Sequence, residues 1–159
     1  GSEMCIRDRG IRTEEEILQS FIANNPSYEK EIRATFSKIE DTISVYSYTK
    51  DWLAYLKKRG YKLYFLSNFP EPLYRRCLDR LNFLELMDGG YMSWQVHLLK
   101  PEPEMYRKLI QDFQITPEKA VFIDDYMDNV AEARAQGLNA IHFTGRKSAV
   151  QQLADFGVK

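Results

Sequence analysis

Cysteine is nearly absent: Cys5 and Cys77 are the only two in 159 residues. They match no metal-ligand spacing and cannot knit a disulfide scaffold, so both are expected as free thiols in a reducing compartment. Histidine is as scarce, with His97 and His142 alone. Neither has a sequence partner that suggests the orienting group catalysis needs, and both read as structural. No apolar run approaches the roughly 20 residues of a membrane-crossing helix. Neither charge sign is in excess: 22 Lys and Arg face 23 Asp and Glu, for a net charge of −1. Such a balance gives no electrostatic reason to expect a nucleic acid or an anionic membrane as partner. Internal repeats and low-complexity segments are missing too. The start, GSEMCIRDRG, carries charges where a secretory signal needs an apolar stretch, so a cytoplasmic location is expected.

The composition is that of an ordinary globular chain, 44% apolar and 28% charged. Its length suits one domain, or one domain with a small appendage. The ten tyrosines, among them Tyr46, Tyr48, Tyr55, Tyr61 and Tyr64, read as core packing with wet hydroxyls. Gly1-Ser2 looks like a tag-cleavage scar, and Glu3 to Arg9 resemble translated adaptor read-through. Residues 1–10 are therefore expected to be a non-native leader.

Thr13 to Asn24 has a helical pattern, with Thr13 and Glu16 spaced as a capping box and Ile17, Phe21 and Ile22 on one face. Asn24-Asn25-Pro26 breaks it. A second helix is predicted from Ser27 to about Ile39, then a connector from Asp41 to Thr49, then a helix from Asp51 to Arg59 stopped by Gly60. Beyond Gly60 short apolar strands alternate with helices. Strands are predicted at 61–66, 91–93, 120–123 and 139–143, and helices at 72–81, 103–114, 127–136 and 147–155. That alternation predicts βα units on a parallel sheet. In such sheets ligands bind beyond the carboxyl ends of the strands.

Three polar clusters fall there. Asp124-Asp125 puts adjacent carboxylates after an apolar strand, a conflict that a hard cation such as Mg²⁺ resolves. Helix capping by either Asp explains the pair about as well. Asn129, four residues after Asp125, shares its helix face and can steady the carboxylate. Ser67-Asn68 offers a hydroxyl and free N–H groups to a phosphate oxygen, although an ordinary turn serine is the commoner case. Lys100, before Pro101-Glu102-Pro103, is a point charge suited to phosphate, although a single lysine is more often merely solvated.

In their order, Leu66-Ser67-Asn68, Lys100 to Tyr106, and Val121 to Asp125 with Asn129, Ala133 and Gly137 resemble the haloacid dehalogenase superfamily. The branch with a small helical cap fits best, over residues 11–159. The resemblance implies a three-layer Rossmann-like α/β core with a parallel sheet over residues 49–159. It also implies a partial helical cap and connector over residues 11–48. Ser67 and Asn68 would hold the phosphoryl group, Lys100 would balance its charge, and Asp125, with Asp124 beside it and Asn129 in support, would hold Mg²⁺. The implied activity is hydrolysis of a small phosphorylated metabolite through an aspartyl-phosphate.

The family's first motif, a central strand ending in Asp-x-Asp, has no counterpart. No Asp here has another two residues away, and Ile6-Arg7-Asp8-Arg9-Gly10 places arginine at both acid positions. No nucleophile is therefore expected, Mg²⁺ should bind weakly, and turnover should be little or none. A non-catalytic binding module and a fragment of a haloacid dehalogenase are the alternatives. The Asp124-Asp125 pair speaks against the second, whose chemistry needs no metal. The missing strand leaves three expected outcomes. The strands at 61–66 and 120–124 pair directly, or residues 3–8 or 41–48 substitute, or two chains associate through the gap.

Overall fold

The computed structural model describes residues 7–159. Of the substitute strand expected at residues 3–8, residues 3–6 lie outside the described residues, and Arg7 and Asp8 are helical, not a strand. The chain divides into two compact units, Gly1–Leu99 and Lys100–Lys159.

In the first unit, Arg7 to Gly10 closes a helical end with the Gly10 N–H donating to the Arg7 carbonyl at 3.0 Å. Helix α1, Glu14–Asn24, begins with the predicted capping box: Thr13 Oγ1 accepts from the Glu16 N–H at 3.2 Å, and the Glu16 carboxylate accepts from the Thr13 N–H at 2.7 Å. Ile17, Leu18 and Ile22 form its buried face. The helix predicted over 27–39 is broken into a 3-10 turn at Pro26–Tyr28, helix α2 at Glu29–Phe36 and a second 3-10 turn at Ile39–Thr42. Local side-chain bonds compete with its continuation: the Ser37 hydroxyl donates to the Ala34 carbonyl at 2.8 Å, just where α2 stops. Residues 43–48 are not a strand, so the connector does not substitute for the missing one. Helix α3, Thr49–Lys58, follows, and Gly60 ends it at φ +88° as predicted.

Strand β1, Tyr64–Ser67, starts three residues later than its apolar run because Asp88 intercepts Leu63. The Leu63 N–H donates to the Asp88 carboxylate at 2.9 Å and the Asp88 N–H donates back to the Leu63 carbonyl at 2.7 Å. Helix α4, Glu71–Arg76, is shorter than predicted, and turns carry Cys77 and Leu81 into a buried cluster with Leu73, packed by Ile39, Ile43 and Phe69. Strand β2, Gly89–Met92, pairs parallel to β1, with Tyr64 opposite Gly89 and Ser67 opposite Met92. A Cβ at Gly90 would stand 2.2 Å from the Phe65 carbonyl oxygen, so this register requires glycine there. A short helix, α5 at Ser93–Val96, closes the unit.

The second unit holds helix α6 at Pro103–Asp112, strand β3 at Val121–Asp124, helix α7 at Met127–Ala135, strand β4 at Asn139–His142 and helix α8 at Arg146–Asp155. Strands β3 and β4 are parallel, with Val121 opposite Asn139 and Asp124 opposite His142. Val130 and Ala133 of α7 and Ile141 of β4 are fully buried where the helix packs on the strand. This is the expected α/β architecture with parallel βα units. Among the described residues, however, the strands form two separate pairs, β1 with β2 and β3 with β4. Direct pairing of the 61–66 and 120–124 segments is therefore not the arrangement found.

Candidate functional site

Asp124 is the last residue of β3, and its side chain turns inward to a residue exposure of 8%. A lone buried carboxylate is costly, and the surrounding residues answer it with three donors. Lys100 Nζ lies 2.5 Å from Oδ2. The Tyr126 N–H donates to Oδ1 at 2.9 Å and Asn129 Nδ2 donates to the same oxygen at 3.0 Å. Sequence spacing alone brings these together: α7 begins at Met127, so its first turn carries Asn129 back over the strand end. The Lys100 and Asp124 side chains are 12% and 6% exposed, so the pair is desolvated and its charges act at close range.

Behind the pair stands Tyr106, wholly buried on α6. Its hydroxyl donates to the Asn129 carbonyl at 3.0 Å. Burial first, and the Asp124 charge second, push its pKa well above the ordinary phenol value, so at neutral pH it remains a donor. Its ring meets Phe122 edge-on at 5.5 Å, and Lys100 Nζ sits 5.7 Å from the centre of the Phe122 ring. Tyr106 thus braces Asn129 directly, and its ring backs the Phe122 ring beside the Lys100 ammonium. His142, at the end of β4, places Nε2 3.0 Å from the Asp125 carbonyl and pins the turn that carries Asp125. Sequence reasoning gave neither residue a role. Tyr106 sits on the apolar face of its helix, and His142 has no polar neighbour in sequence; only the Asp124–His142 strand register reveals it.

Asp124 and Asp125, read together as metal ligands, have different environments. Protein donors occupy both oxygens of Asp124, whereas Asp125 is exposed. The Asn129 side-chain oxygen is buried and has no hydrogen-bond partner among the described residues. An exposed carboxylate with an orphaned amide oxygen four residues on fits a hard cation, since Mg²⁺ takes one or two carboxylates and completes its shell with water and phosphate. Among the described residues no cluster of three or more acidic, His or Cys side chains could hold a metal by itself.

In the first unit, Ser67 ends β1 and Asn68 follows it into the loop before α4. The Phe69 N–H donates to Ser93 Oγ at 2.9 Å, and the fully buried Ser93 hydroxyl also reaches the Asp8 carbonyl, which fixes the loop. Asp8 is in a helical end, ion-paired to Arg7 at 2.9 Å, and not at the end of a strand. The second unit brings together Lys100, Asp124, Asp125 and Asn129, and the first places Ser67 beside Asn68.

A family model described as haloacid dehalogenase-like hydrolase matches residues 7–137. The chain is 26% identical over 123 residues to the sesquiterpene phosphatase astK of Aspergillus oryzae, covering 77% of this chain and 63% of that protein. It is 26% identical over 151 residues to the drimenol cyclase drtB of Aspergillus calidoustus, covering 93% of this chain and 29% of that protein. The chain therefore spans between about a third and two thirds of these relatives' lengths. Among solved structures, a haloacid dehalogenase-family enzyme from Bacteroides thetaiotaomicron, complexed with magnesium and inorganic phosphate, superposes with a TM-score of 0.74 at 21% identity. That match covers 94% of this chain and 79% of the other.

Proposed function

The chain belongs to the haloacid dehalogenase-like hydrolases, and on that premise we propose that it carries the phosphate- and Mg²⁺-binding groups of a phosphoric monoester hydrolase without the group that attacks phosphorus. The observation that supports this reading most is the buried Lys100–Asp124 pair, braced by Asn129 and Tyr106. A desolvated ammonium held at a fixed point is what a transferring phosphoryl group needs to offset its charge. Lys100 supplies that charge, and Asp124 orients it. Ser67, through its hydroxyl, and Asn68, through its N–H, hold phosphoryl oxygens at the end of β1. Asp125 holds Mg²⁺, with the Asn129 side-chain oxygen behind it. When bound, the ion neutralises phosphate charge. The substrate class is a small phosphorylated metabolite; one relative is named a sesquiterpene phosphatase.

Asp-x-Asp occurs nowhere in the 159 residues, so binding is retained while turnover by this chain is lost. With one open carboxylate the ion is held weakly, because affinity grows with the number of charged ligands. Hydrolysis of p-nitrophenyl phosphate with Mg²⁺ tests the reading. The expected rate equals that of Asp125→Ala. Activity that Asp125→Ala abolishes would mean that another carboxylate has taken the nucleophile's place, and would sink this account. A non-catalytic binding module is the second reading, and the same missing motif favours it. Phosphate binding without Mg²⁺ dependence would select it.

A further inference from the structure

The first unit contains a cavity of about 320 Å³ beside the Ser67–Asn68 loop. Its wall includes Ile17, Phe36, Ile39 and Leu73, and Ile11, 62% exposed, stands at its mouth. Pro70 and Pro72 supply the stretch of wall nearest the loop, and neither has an N–H to donate. Pro70 follows Ser67 by three residues, a span of at most about 10 Å.

Most of the charged groups on the rim are already engaged, with exposed Arg12 the exception. Arg7 pairs with Asp8 at 2.9 Å, Glu14 with Arg76 at 2.7 Å, and Glu71 with Arg75 at 2.5 Å. The Glu16 carboxylate caps α1, and its bonds from Thr13, with Arg12 nearby, hold it below the ordinary carboxylate range. A polyhydroxylated group entering this cavity would have to break those pairs or bury its hydroxyls unpaired, and both are costly. An apolar group displaces water from the aliphatic and aromatic wall at no such cost. The volume lies at the small end of ligand pockets, which run from roughly 300 to 1,000 Å³, so it excludes large groups.

We propose that this cavity receives the organic part of the substrate, and that the substrate is a phosphate monoester of a small apolar alcohol rather than of a sugar. The inference rests on the phosphate-binding reading of Ser67 and Asn68 given above, and it adds the chemistry of the other end of the molecule.

Equilibrium binding of four probes to the intact chain with Mg²⁺ tests it: geranyl monophosphate, geraniol, glucose 6-phosphate and inorganic phosphate. Geranyl monophosphate is expected to bind at least about tenfold more tightly than glucose 6-phosphate, the yield of burying roughly two methylene groups. Phe36→Ser, at a half-buried wall position that tolerates change, should remove that preference while inorganic phosphate binds as before. Leu73→Ser should do the same, with far-ultraviolet circular dichroism as the check on folding. Equal affinity for the two esters, with inorganic phosphate still bound, overturns the cavity assignment and leaves the phosphate site standing. Geraniol bound and inorganic phosphate unbound supports the cavity and defeats the phosphate reading. No binding of any probe overturns both.

Discussion

Lys100 and Asp124 are worth little to stability as a pair and much as a constraint. Removing two charges from water nearly cancels what their attraction returns, but removing one partner leaves the other stranded. Lys100→Ala should therefore destabilise the fold by about 3 kcal/mol in urea unfolding, and adding Asp124→Ala should recover part of the loss. Strict additivity of the two would mean that the pair is not coupled. Tyr106→Phe keeps the ring against Phe122 and deletes only the donor to the Asn129 carbonyl. Its expected cost is about 1–2 kcal/mol, that of a buried acceptor left unpaired. Lys100, Asp124 and Asn129 stood out in the sequence because charged and amide residues beside apolar strands demand an explanation, but Asn129 was expected to steady Asp125 and its amide meets Asp124 instead. The Tyr106 hydroxyl was not, because a tyrosine on an apolar helix face looks the same whether or not its hydroxyl finds a partner.

The elements were legible where local chemistry decides them and illegible where a distant group intervenes. Thr13 and Glu16 announce the start of α1 within four residues, and the structure begins the helix there. The start of β1 depends on Asp88, 25 residues away from Leu63, and no local pattern carries that. Asp88 accepts from the Leu63 N–H and from Lys57, and these bonds, the backbone one first, hold its carboxyl below the ordinary value of 3.8. A carboxyl lowered on folding contributes stability above its unfolded pKa and loses it as pH falls through the folded value. Asp88→Asn should thus cost about 1 kcal/mol at pH 7, and the gap between variant and parent should close below pH 3.8. Urea midpoints at the two pH values measure it. A gap that persists in acid would show that the carboxylate charge is not what holds Leu63. Similarly, Ser37 and its bond to Ala34 end α2 where apolar periodicity alone would carry the helix on to Ile39.

Across the whole molecule, burial is uneven in a way that bears on function. No residue between Ile22 and Leu66 is buried, although Ile32, Phe36 and Ile39 are half-buried and Tyr28 and Tyr46 are 62% and 65% exposed. In contrast, Val130, Ala133 and Ile141 are sealed completely. Helices α2 and α3 therefore rest on few apolar contacts, and segments of that kind open at low free-energy cost. Hydrogen exchange should be fastest over residues 26–58 and slowest over 130–141. The apolar side chains of this stretch are spaced for a surface that the described residues cover only in part. Phe36 and Ile39 also wall the cavity beside Ser67 and Asn68, so a ligand there would add the contacts this stretch is short of. Saturating geranyl monophosphate should slow exchange over residues 29–42 and leave 130–141 unchanged. If protection instead follows protein concentration without ligand, a second copy covers these helices. Uniformly slow exchange over 26–58 in the dilute, free chain would mean that this segment is stable in itself and needs neither.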